Sequence, residues 1–122
     1  MSIYTADELL DELSQTIERF GDDTPIRWSD DPQGGAAAAR SLDLELKSVH
    51  GRPSLLIYPA DESETPSIET LADFVRAVRV ETDAHGLDLP TFWCADALSD
   101  TKYLAAELEI LDGIPTVVIF PV

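Results

Sequence analysis

Leu9, Leu10, Leu13, Ile17 and Phe20 recur at the spacing of one helical face, while Asp7, Glu8, Asp11, Glu12 and Glu18 fill the positions between them. Thr5 with Glu8 three residues on has capping-box spacing, and Gly21 supplies a stop, so a helix is predicted between them. A second stripe runs through Leu71, Phe74, Val75 and Val78, flanked at its start by Ser67 and Thr70 and ending before His85-Gly86. Between and after the helices the period changes from 3.6 to 2. "TPIRW" and "LPTFW" read as short strands with proline at their mouths. "RSLDLELKSV" alternates Leu42, Leu44 and Leu46 with Asp43, Glu45 and Lys47, a strand with one wet face, and "YLAAELEIL" does so less cleanly. "HGRP" and "DGIP" are turn signals, and "SLLIYP" and "TVVIFP" are continuous apolar runs expected at the centre of a sheet.

These elements come twice. At an offset of 62, Leu42, Glu45, Leu46, Gly51, Pro53, Ile57 and Pro59 fall on Leu104, Glu107, Leu108, Gly113, Pro115, Ile119 and Pro121 without a gap. The same offset lays Thr5 on Ser67 and Leu9 on Leu71, whereas the short strands match at 65, pairing Pro25 with Pro90, Trp28 with Trp93 and Asp31 with Asp96. Differences in spacing that fall between elements are what a duplicated unit tolerates. The expectation is one α+β domain over residues 1–122, made of two tandem αβββ pseudo-repeats at about 5–59 and 67–122 joined by a linker at 60–66. They are expected to form one mainly antiparallel sheet of about six strands, with both helices on one side.

Charge adds a surface to this fold. The chain has 24 acids against 8 bases, a formal charge of −16, divided as −9 over residues 1–66 and −7 over 67–122, so the acidity clothes both halves. A surface of that sign repels nucleic-acid phosphate and anionic lipid and attracts basic proteins. Acidity of this kind is equally a mark of a GC-rich genome or a salt-adapted proteome. No basic leader, apolar signal core or long apolar run is present, and the single cysteine, Cys94, forms no intrachain disulfide; a soluble cytoplasmic protein is expected.

Candidate chemistry is sparse. His50 sits in a turn where its counterpart is Asp112, His85 precedes a helix-ending glycine, and Cys94 follows Trp93 where the other half has Ser29. No zinc spacing, EF-hand spacing or phosphate-loop motif occurs, so neither catalytic residues nor a metal nor a cofactor is expected. Trp28 and Trp93 have two readings. They fill the core between helix and sheet, or they anchor an interface rimmed by Asp30, Asp31 and Asp96.

Thr5, Leu9, Leu13, Asp22, Asp23, Thr24, Pro25 and Ile26 give the opening a T-x-x-x-L-x-x-x-L … D-D-T-P-hydrophobic pattern. In this it resembles small uncharacterised domains of actinobacteria and their phages, a resemblance that implies no active site. The functional expectation is a non-catalytic protein that engages a basic protein partner, of inhibitor, antitoxin, immunity or counter-defence type. The alternative is a structural protein that forms a homodimer.

Overall fold

In a computed structural model, described for residues 3–29, 41–60, 68–94, 101–111 and 113–121, the chain forms two helices and six strands. In order these are α1 (Ala6–Phe20), β1 (Ile26–Trp28), β2 (Leu42–Val49), β3 (Arg52–Pro59), α2 (Leu71–His85), β4 (Thr91–Trp93), β5 (Leu104–Leu111) and β6 (Ile114–Pro121). The "PQGGAAAAR" segment and the linker at 61–66 lie outside the described residues. Among the described residues no helix is long and apolar enough to cross a membrane.

The expected single sheet is replaced by two three-stranded mixed sheets, ordered β1-β6-β5 and β2-β3-β4. β2 with β3 and β5 with β6 are antiparallel hairpins in equivalent register, Leu42 opposite Pro59 and Leu104 opposite Pro121. The short strands cross between the halves. β1 lies parallel to β6, with Ile26 opposite Val117, and β4 lies parallel to β3, with Leu55 opposite Thr91. Alternation along a strand tells which face is wet but not which strand is the neighbour, so this exchange left no mark in the periodicity. The apolar runs are central as expected, each as the middle strand of its own sheet, buried from Ser54 to Ile57 and from Thr116 to Ile119.

The hairpin turns require unusual backbone. His50 and Gly51 have φ of 53° and 79°, and Gly113 also has φ of 79°. Two consecutive positive φ angles are what a two-residue turn needs to match the twist of its strands.

Both helices span 15 residues, and their N-caps are Thr5 and Thr70. They therefore correspond at an offset of 65, like the short strands, and not at 62; α2 starts three residues later than the alignment of Thr5 on Ser67 implies. The first-turn amides, orphaned in any helix, are satisfied across the molecule. Ala6 and Asp7 donate to the carbonyls of Leu89 and Leu87, while Leu71 and Ala72 donate to those of Thr24 and Asp22. The third amide of each helix is taken by its own cap, Thr5 for Glu8 and Thr70 for Asp73.

Asp73 closes a capping box by accepting from the amides of Glu69 at 3.2 Å and Thr70 at 3.4 Å. Those bonds, that from Glu69 foremost, hold its carboxyl below the ordinary value. A carboxylate favoured by folding contributes stability above its unfolded pKa, about 4, and loses that contribution as pH falls through the lower folded value. The difference in urea midpoint between the native chain and Asp73→Ala is expected to be constant above about pH 5 and to shrink as the solution is acidified further. A difference that grows on acidification would contradict the assignment.

One core joins everything. Leu9 and Leu13 from α1, Leu71, Phe74 and Val78 from α2, and Leu55, Ile57, Val117 and Ile119 from the two middle strands belong to a single buried cluster.

Candidate functional site

The two tryptophans reach the centre of the molecule from different sheets. Trp28 is the last residue of β1 and lies opposite Ile119; Trp93 ends β4 opposite Ile57. Their rings meet with centroids 5.0 Å apart and planes inclined by 39°. Trp93 is 2% exposed and belongs to the core, whereas Trp28 is partly buried and packs against it. Asp30, Asp31 and Asp96 of the expected rim lie outside the described residues.

The indole nitrogen of Trp28 is buried and has no hydrogen-bond partner among the described residues. An unmade bond of this kind costs about 1–3 kcal/mol, which offsets much of what the larger ring gains over phenylalanine. Trp28→Phe is therefore expected to change unfolding free energy by less than about 1 kcal/mol in denaturant titration, and a loss above about 2 kcal/mol would show that the nitrogen is paired.

The chemistry-bearing residues remain apart. His50 is exposed in the β2–β3 turn, His85 is exposed at the end of α2, and Cys94 is buried behind Trp93. Among the described residues no group of three or more His, Cys, Asp or Glu is placed to hold a metal ion. The hollow beside His85 is lined by Arg52, Pro53, Asp88, Leu89 and Pro90, with no Ser, Thr, Cys or Lys among its lining residues. Both helix N-termini have spent their first three amides, two on the opposite half and one on the helix's own cap, so neither offers the donor cluster that binds a phosphate.

What the described surface does display is charge. Asp7, Glu8, Asp11, Glu12 and Glu18 are all exposed on α1, and exposed Asp22 and Asp23 follow it. Arg19 is the one base on this helix, with its guanidinium carbon 5.6 Å from the centre of the neighbouring Phe20 ring. The ion pairs among described residues, Lys47 with Glu45 at 3.0 Å and Arg76 with Asp73 at 4.0 Å, are elsewhere.

A second surface feature escaped the sequence reading. Tyr4, Phe92 and Tyr103 form one aromatic cluster, with Tyr4 edge-on to Tyr103 at 4.5 Å and Phe92 stacked with Tyr103 at 5.9 Å. The fold gathers them. Tyr4 accepts from the amide of Thr91, and Ile3 bridges Leu104, the residues beside Phe92 and Tyr103. No spacing in the chain announces a contact between residues 4 and 103; an aromatic on the wet face of "LPTFW" was the available signal.

No protein-family model, no curated protein and no solved structure matches this chain, so its class rests on the fold and surface themselves: a small α+β protein with two mixed sheets and a strongly acidic helix.

Proposed function

We propose that this protein is a non-catalytic acidic binding module that engages a basic surface of a protein partner. In this reading it acts as an inhibitor or regulator of a nuclease or another nucleic-acid-handling protein, of antitoxin, immunity or phage counter-defence type. The observation that carries it is the outer face of α1, where five exposed carboxylates stand against Arg19 alone and no ion pair within the described chain neutralises them. Proteins that grip phosphate backbones present Lys and Arg, and an acidic helix is complementary to such a surface in sign. Attraction of this kind acts over about 8–10 Å near physiological salt and speeds encounter. Trp28, packed against Trp93, is assigned to the partner contact; Asp30, Asp31 and Asp96, the other residues expected there, lie outside the described residues.

The origin we infer is duplication of an αβββ unit. It is supported by the constant offsets of 65 for helix and short strand and 62 for the hairpin, and by the reciprocal bonds, in which Thr91 donates to Tyr4 as Ile26 donates to Glu69.

The test is capture of the partner from the native host at low salt, with release by a salt gradient and assay of the released protein. A basic protein released below about 0.5 M salt, where the Debye length falls to about 4 Å, and inhibited when the chain is added back, is the expected result. Charge reversal by Asp11→Lys with Glu18→Lys should weaken binding at least tenfold at low salt. Binding that survives high salt overturns the electrostatic reading.

The alternative, a homodimer, has its own observation. β5 is an edge strand, and Ile110 and Ile114 at the end of its hairpin are 62% and 54% exposed. Pairing of such edges would give a dimer whose mass in solution is independent of salt.

A further inference from the structure

The aromatic cluster has a polar twin. At the offsets that relate the two halves, Tyr4, Phe92 and Tyr103 correspond to Glu69, Arg27 and Ser41. On that side a guanidinium takes the aromatic's place, Arg27 donating from Nη1 to the carbonyls of Glu69 at 2.9 Å and Ile26 at 2.7 Å. The backbone frame is the same on both sides, with Ile26 bonded to Glu69 and Thr91 bonded to Tyr4, each at 3.1 Å. The fold therefore does not require aromatic side chains at these positions. Yet Tyr4 and Tyr103 are held against each other while 48% and 47% exposed.

Two exposed halves of tyrosine amount to about 200 Å², well short of the roughly 800 Å² per partner of a standard interface. The cluster is thus too small to be an interface and of the right size to be an anchor within one. Its setting selects the occupant. Asp7 and Glu8, both exposed, follow Tyr4 in the first turn of α1, against one base, Lys102, next to Tyr103. The chain as a whole carries −16. An electron-rich ring in a negative field favours a cation over its face, and arginine, planar and weakly hydrated, stacks there better than lysine. The phenolic oxygens can accept its N–H groups.

We propose that Tyr4, Phe92 and Tyr103 form an arginine-binding anchor, the point at which an arginine of the basic partner docks beside the acidic N-terminal turn of α1. This rests on the reading of the chain as an acidic binding module and adds to it a residue-specific contact.

The probes are two synthetic peptides of equal length and charge, one built on arginine and one on lysine, titrated into the full chain at low salt by calorimetry, with tyrosine ring protons followed by NMR. The arginine peptide should bind at least five-fold more tightly and shift the ring signals of Tyr4 and Tyr103. In Tyr4→Leu with Tyr103→Leu, which keeps apolar cover and removes the hydroxyls and the ring faces, the preference should vanish while the salt dependence stays. Equal affinity for the two peptides in the native chain, or a preference that survives the leucine variants, overturns the anchor and leaves the acidic-module reading intact. Absence of binding by either peptide overturns both. The ring shifts are read on the native chain and do not depend on the variants folding.

Discussion

Expressed as separate polypeptides cut in the 61–66 segment, the two halves are expected not to fold as monomers, and to recover one folded 1:1 complex when mixed. The reason is the exchange of strands. Each half gives its three-residue strand to the other half's sheet, β1 to β6 and β4 to β3, and keeps only a two-stranded hairpin for itself. Such a hairpin is marginal in water. Outside the ladders, the amides of Ile3, Ala6, Asp7, Ile26, Ser29, Leu55, Leu71, Ala72, Thr91, Cys94 and Val117 all donate to carbonyls of the other half. At about 1 kcal/mol net for each, their loss is comparable to the 5–15 kcal/mol that stabilises a whole domain. Circular dichroism and sedimentation of each half, alone and mixed, are the measurement. A half that unfolds cooperatively as a monomer would refute the shared-core account.

Trp93→Ala is the point substitution expected to cost most. The side chain is the largest of the fully buried ones, in contact with Trp28 on one side and carried on a strand that holds both sheets together. Its amide and carbonyl exchange bonds of 2.7 and 2.9 Å with Lys102, just before β5, while the strand itself pairs with β3. Truncation leaves a cavity between two sheets whose middle strands are fixed by eight-residue ladders, so collapse around it is restricted. The loss should be about 3–5 kcal/mol, or roughly 10–20 °C in midpoint at this chain length. Thermal unfolding followed by the fluorescence of Trp28 measures it. A cost below about 1 kcal/mol would mean the site relaxes, and would undo the contrast with Trp28→Phe.

The elements were legible where a local cause fixes them. Thr5 and Gly21 bound α1 because a hydroxyl cap and a positive φ are needed there, and the alternation of Leu42, Leu44 and Leu46 identified β2 because one face is wet. The pairing of strands was not legible. Nothing in "TPIRW" distinguishes a strand beside its own hairpin from one beside the other, since the choice is made by partners far along the chain, such as the Val117 amide that donates to Pro25. The helix offset was misread for a related reason. Leu9 matched Leu71 in letters, while the cap chemistry of Thr70 with Asp73, which sets where the helix starts, pointed three residues further on. Of the candidate site, Trp28 and Trp93 were found by their matching positions, but that they touch each other follows only from the exchange. Tyr4 and Tyr103 could not be joined by any pattern, because the short bridge of Ile3 to Leu104 that brings them together is a tertiary event.

The exchange also sets a clock on biosynthesis. β1 is complete at residue 28 but its partner ends at residue 121, and the edge of β3 waits for residues 91–93. At about 5–20 residues per second, the first hairpin stands on the ribosome with an open, apolar edge for roughly 2–7 s before β4 emerges. β1 waits longer still, for β6 at residues 114–121. The two sheets are therefore completed late and together, and the like charges spread along the nascent chain are what hold neighbouring copies of that open edge apart in the interval.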